Sequence, residues 1–191
     1  FLDSENGITP MGRERNISQK PQFEVTAIGS FKQKPGCPEY VHTAMSAGEI
    51  SRLCLNECYN PSNERNKIDR IEIVKITPTT ELDSISNNIQ DPWKVFTCND
   101  KGEGCSANFF DDEYVLNNKS SLYYARAIQE PTNIVGGDPL RCELNEAGEC
   151  IKIRPCYSSG PDFDPNDDCL APVGERAWSS PIFLTHPMSI Y

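Results

Sequence analysis

Nine cysteines in a chain of 191 residues, at positions 37, 54, 58, 98, 105, 142, 150, 156 and 169, limit the folds open to it more than any other feature. Two histidines are too few for a set of Cys/His zinc sites, and no two cysteines stand in C-x-x-C spacing. Disulfides are therefore the expected use of these side chains, which places the protein in an oxidising, extracellular or cell-surface setting. The count is odd, so one thiol is expected to be free or joined to another chain or to a missing part of the same chain.

Local sequence narrows the pairing without settling it. Ser46-Ala47-Gly48-Glu49 is a capping-box sequence that predicts a short helix through about Cys58. Cys54 and Cys58 would share one face of that helix and could not readily bond each other, so Cys37 or a cysteine elsewhere is the expected partner. Residues 32–66 read as a stapled insertion rather than a redox or metal site. Cys98 and Cys105 bracket a polar, Gly-bearing loop and predict a hairpin closed by its own disulfide. Cys142, Cys150, Cys156 and Cys169 fall within residues 131–174, a stretch too long for a structureless loop in a compact domain. Two bridges among these four, in a connectivity that spacing leaves open, would tie the stretch into a lobe.

The apolar residues recur with a period of two. Leu122 to Gln129 sets Tyr123, Ala125 and Ala127 against Tyr124, Arg126 and Ile128, the pattern of a central strand. Its expected neighbour is Glu175 to Leu184, with Trp178, Ile182 and Leu184 on one face and Pro181 placing it at an edge or bulge. Ala125 and Ala127 are small, so Trp178 is expected to lie over them. Gln22 to Ile28, Ile68 to Ile76 and Trp93 to Thr97 read as further strands, and Cys150 to Arg154 as a short one. Residues 1–21 have no period and read as an extended lead-in, ordered only by docking. The expected fold is all-β, an immunoglobulin- or fibronectin-like β-sandwich with a short inserted helix and a disulfide-stapled lobe. One domain is expected over residues 22–185, with insertions 32–66 and 131–174 and a tail at 186–191.

A net charge of −10 argues against nucleic acid or an anionic membrane as partner, since both call for a basic surface. No apolar run approaches the roughly 20 residues of a membrane-spanning helix. The chain opens Phe1-Leu2-Asp3 without Met or a signal peptide, as expected of a processed or partial product. Asn16 and Asn118 stand in glycosylation sequons, whereas Pro61 excludes Asn60. Asp162, Asp164, Asn166 and Asp168 form an oxygen-rich cluster suited to calcium. The cluster departs from an EF-hand loop, because Asp167 stands where Gly is needed and Val173 where the bidentate Glu should be. A solvated acidic turn is the competing reading. His42 and His186 read as surface residues, and Asp111-Asp112 as a solvated face. No nucleophile elbow or phosphate loop is present, so catalysis by this chain is not expected.

Several motifs together resemble the C-terminal, β-sandwich region of the domain-of-unknown-function family 3604. They are Pro10-Met11-Gly12, Arg70 to Lys75, Tyr123 to Thr132, Leu140 to Glu143, Asp167 to Pro172 and Glu175 to Ile182. The resemblance spans most of Pro10 to Phe183 but not the insertion at 32–66. It implies a parent resembling a PHP-type metallohydrolase of the amidohydrolase group, whose metal site is built from N-terminal His and acidic residues. None of those motifs occurs here, so no catalytic residue carries over. In that family the sandwich starts upstream of Pro10, which implies a missing first strand, an apolar groove and an open edge. Two readings follow. One is a structural subunit that polymerises by strand donation between copies, the donor being Phe1 to Met11 or Ile182 to Tyr191. The other is an accessory domain of a secreted metallohydrolase, separated from its catalytic half.

Overall fold

The computed structural model describes residues 2–3, 7–79, 88–98, 104–135, 137–138, 140–155 and 169–189. The protein is all-β, with three short helices among the described residues. Strands β1 (Leu2–Asp3), β2 (Gly7–Ile8) and β3 (Glu14–Asn16) precede β4 (Gln22–Ile28). β5 (Phe31–Gln33) is followed by α1 (Glu39–Ala44), α2 (Ala47–Cys54) and β6 (Pro61–Arg65). Next come β7 (Ile68–Ile76), β8 (Ile89–Thr97), β9 (Gly104–Phe110), α3 (Glu113–Asn117) and β10 (Ser121–Gln129). β11 (Thr132–Val135), β12 (Glu143–Leu144), β13 (Cys150–Lys152), β14 (Leu170–Val173), β15 (Arg176–Trp178) and β16 (Ile182–Thr185) complete the order.

β10 occupies the middle of the larger sheet. It pairs antiparallel with β7 from Leu122↔Ile76 to Gln129↔Ile68. Its other side is shared by β16, opposite Ser121 to Tyr123, and β15, opposite Arg126 to Ile128. β8 extends the sheet beyond β7, and β3 runs parallel to β16. The smaller sheet has the order β2-β1-β4-β9. Alternation puts Ile71 and Ile73 of β7 and Tyr123 and Ala125 of β10 on the face turned toward Phe23 of β4 and Phe109 of β9. Phe23 stacks on Phe109 with centroids 5.0 Å apart and meets Tyr123 of the other sheet at 4.6 Å. Full burial of one such ring contributes about 1.5–3 kcal/mol, so this cluster is the main adhesive between the sheets.

The domain reaches further in both directions than residues 22–185. Ile17 is in the core, because β3 sits beside β16 and the Ile17 amide donates to the Thr185 carbonyl at 3.1 Å. At the other end His186 is buried, not exposed as expected, with its amide on Ser120 Oγ and its ring against Tyr114. His42, on α1, is exposed.

The insertion at 32–66 is a ribbon of β5 and β6 capped by two helices. Ser46 and Glu49 form the expected capping box. α2 stops at Cys54 rather than Cys58, because Leu55 and Asn56 turn left-handed, with φ of 52° and 64°. Cys58 is thereby freed from the helix and bonds Cys37, with Cα atoms 4.7 Å apart. Cys54, grouped with the bridged cysteines above, is a free thiol. The ribbon leaves the smaller sheet through Gly29, where a Cβ would lie 1.8 Å from the Asn66 carbonyl oxygen, so only glycine fits.

Cys98 and Cys105 are bonded, but not across a hairpin. β8 joins β7 in the larger sheet and β9 joins β4 in the smaller one, so this bridge pins a crossover between sheets. The lobe at 131–174 has a neck in which β11 pairs with β14 from Thr132↔Val173 to Val135↔Leu170. Beyond it Cys142 bonds Cys150 beside the β12–β13 ribbon. Cys169 is also disulfide-bonded. Cys156 lies outside the described residues.

Candidate functional site

The sheets do not close on one another along their whole length. β4 is paired with β9 from Gln22↔Phe110 to Ile28↔Gly104. On its other side the sole pairing among the described residues is Leu2 with Gln22. Among the described residues, Glu24 to Ile28 therefore have no strand partner on that side. Across the gap β15 pairs, among the described residues, with β10 on one side only.

Cover thins steadily along this gap. In the inward row of β4, Phe23 is buried while Val25 and Ala27 are half-buried. In the facing row of β10, Tyr123 and Ala125 are buried while Ala127 is half-buried. The small floor leaves room. A cavity of about 360 Å³ lies next to Phe23 and Tyr123, and one of about 630 Å³ continues toward Ile28 and Ala127. They share Met11, Val25, Thr26, Ala125 and Ser179, so they form one groove. Ile28, Met11 and Trp178 border it and are mostly exposed, an apolar margin of the kind that marks an interaction surface.

Trp178 is not the lid that its sequence context implied. It pairs in register with Arg126, whose side chain points away from Ala125 and Ala127, and 60% of its surface is open. Arg126 instead organises the outer face of the larger sheet. It donates to Glu72 at 2.5 Å and to Asp91 at 2.5 Å, while Arg70 donates to Glu72 at 2.7 Å. Burial pushes the Glu72 carboxyl up, but the bonds from Arg70 and Arg126 outweigh it and hold the group below the usual carboxylate range.

The remaining residues singled out in the sequence are dispersed. Asn16 on β3 and Asn118 after α3 are exposed. Asp162, Asp164, Asn166 and Asp168 lie outside the described residues. Among the described residues no group of three or more His, Cys, Asp or Glu is arranged to hold a metal ion. Asp112 is exposed and pairs with Lys20 at 3.0 Å, as a solvated face requires. Asp111 is not part of such a face: it is fully buried and lies 2.6 Å from Lys75. A signal for this was present in the alternation of β7, where Lys75 follows Ile71 and Ile73 in the inward row and so demands a buried anion.

Fold and groove together define the class: an all-β, disulfide-bonded protein with one stretch of sheet edge that has no strand partner among the described residues. Comparison with protein-family models, curated proteins and solved structures finds no match to this chain.

Proposed function

We propose that this chain is a non-catalytic extracellular structural module that joins further copies of itself by strand donation into the groove. The carrying observation is the stretch Glu24 to Ile28, which has one strand neighbour among the described residues, over a continuous groove. An edge strand next to an unfilled core is a template for a strand from elsewhere, which gains main-chain hydrogen bonds and side-chain pockets together.

The donor in this reading is the N-terminal segment, Phe1 to Met11, of a second copy. The C-terminal candidate, Ile182 to Tyr191, is largely committed within its own fold: β16 is paired on both sides and the Ser189 amide donates to the His186 carbonyl. The N-terminal segment is held in its own chain only by short pairings, Leu2 with Ile8 and Gln22 and Asp3 with Gly7, so donation exchanges these for the same edge in a second copy. The segment carries Asp3 and Glu5, and at the Ile28 end the groove is bordered by Arg65 and Arg176, balanced over its whole length by Glu24 and Glu175. Donation from copy to copy in one direction does not close on itself and builds a filament.

Disulfides support an extracellular setting, and no helix among the described residues is long and apolar enough to cross a membrane. The exposed Asn16 and Asn118 are open to N-linked glycans on a secretory route, and calcium at Asp162, Asp164, Asn166 and Asp168 would stiffen the lobe.

Electron microscopy and size-exclusion chromatography of the purified chain test the reading. Filaments or oligomers are expected, and removal of residues 1–9 or the groove-filling Ala127→Arg should return them to monomers. A monomer at every concentration overturns it. Association only with a separate His-rich chain would favour the accessory-domain reading instead.

A further inference from the structure

A buried lysine and a buried aspartate meet where the two sheets come together. Lys75 Nζ, from β7 of the larger sheet, lies 2.6 Å from Asp111 Oδ2, in the residue that follows β9 of the smaller sheet. Both side chains are almost wholly excluded from solvent. The Trp93 ring lies 5.0 Å from the same nitrogen. Asp111 is held from three directions: its amide donates to the Pro21 carbonyl, its Oδ1 accepts from the Glu113 amide at 3.0 Å, and its Oδ2 accepts from the Tyr123 hydroxyl at 2.6 Å. A second carboxylate, Glu113 Oε2, stands 3.8 Å from Lys75 Nζ and reaches solvent.

These are the elements of a condensation site. An amine and a carboxyl group fixed in contact react as if at very high concentration. Apolar walls exclude the water that would otherwise solvate both groups, and an adjacent carboxylate can carry a proton between them. As an ion pair alone the arrangement is a weak stabiliser, because desolvating both charges offsets their attraction.

We propose that in the folded protein Lys75 and Asp111 condense to an amide, a covalent tie between the two sheets. A proton passes from Nζ to Oδ2 within the contact, leaving a free amine and a neutral acid. The Nζ lone pair attacks Cγ, and the charge that develops on Oδ1 is met by the Glu113 amide. Glu113 takes a proton from the nitrogen and returns it to Oδ2. The Cγ–Oδ2 bond then breaks, water leaves, and Oδ1 becomes the amide oxygen. Protons and electrons balance with no oxidant, metal or cofactor. Burial, followed by the bond to Asp111, pushes the Tyr123 phenol far above its ordinary value, so it remains a donor throughout. The tie is independent of polymerisation and stands whether or not copies join.

The intact mass of the native protein, denatured and fully reduced, tests it directly. The expected value is about 18 Da below the sequence mass, one water lost. Peptide mapping should find the Lys75 peptide joined to the Asp111 peptide. Lys75→Arg and Asp111→Ala should each restore the full mass, and Glu113→Gln should leave a mixture of closed and open chains. A reduced native protein at its full sequence mass overturns the proposal even if no variant folds. So does a water loss that survives Lys75→Arg, because that loss would arise elsewhere.

Discussion

Trp178 stands directly across from Arg126 in the antiparallel register of β15 and β10, yet 60% of its surface is open to solvent. Trp178 still lines the rim of the groove, so whatever fills the groove covers part of its exposed surface. Assembly of copies should therefore shift tryptophan emission to shorter wavelengths, and Trp178→Phe should remove most of that shift while sparing the contribution of Trp93. Emission that stays constant between subunit and polymer would show that the occupied surface lies elsewhere.

Glu72 gives the outer face a pH dependence of defined sign. Its carboxyl is held below the ordinary range when folded, so its contribution is complete above the unfolded value of about 4.3 and is lost as pH falls below it. Urea midpoints of the native protein should fall through this acid window. Glu72→Gln should be less stable at neutral pH and show a shallower acid decline. Parallel acid limbs for the two proteins would assign the decline to other carboxylates.

The disulfides should differ in what they hold. Cys98–Cys105 crosses between sheets beside the core, so replacing both with Ala should lower global stability by about 2–3 kcal/mol in denaturant titration. Cys37–Cys58 anchors an appendage in which Ile50 is the one buried helical residue of α1 and α2. Its removal should open that appendage to protease while leaving the global midpoint close to that of the native protein.

Phe109 contacts Phe23, Trp93 and Phe96 in one aromatic cluster. Phe109→Ala should cost about 3–5 kcal/mol by equilibrium unfolding, the sum of lost transfer energy and a cavity between sheets that cannot collapse. A loss below about 1 kcal/mol would mean that the cluster is not what joins the sheets.

Much of the architecture is legible in particular residues. The Tyr123-Ala125-Ala127 row predicts the central strand, Ser46 with Glu49 predicts the helix start, and Pro181 marks the break between β15 and β16, although β16 is paired on both sides rather than at an edge. The failures share a cause. Cys98 and Cys105 read as a hairpin because they are close in sequence, but their strands take partners in different sheets. Trp178 reads as core by its apolar character, but its register sets it beside Arg126. Asp111 reads as solvated beside Asp112, but the inward Lys75 draws it into the interior.

What the amino-acid order determined by itself was local: strand periods, the helix cap, the oxidising setting and the residues able to face a core. Those follow from backbone geometry and side-chain chemistry over a few residues. Only the tertiary structure decided which strands become neighbours, that Glu24 to Ile28 of β4 have no second strand partner among the described residues, and that Lys75 meets Asp111. Alternation states which way a side chain points, but adjacency and cover come from hydrogen bonds and packing between segments far apart in the chain.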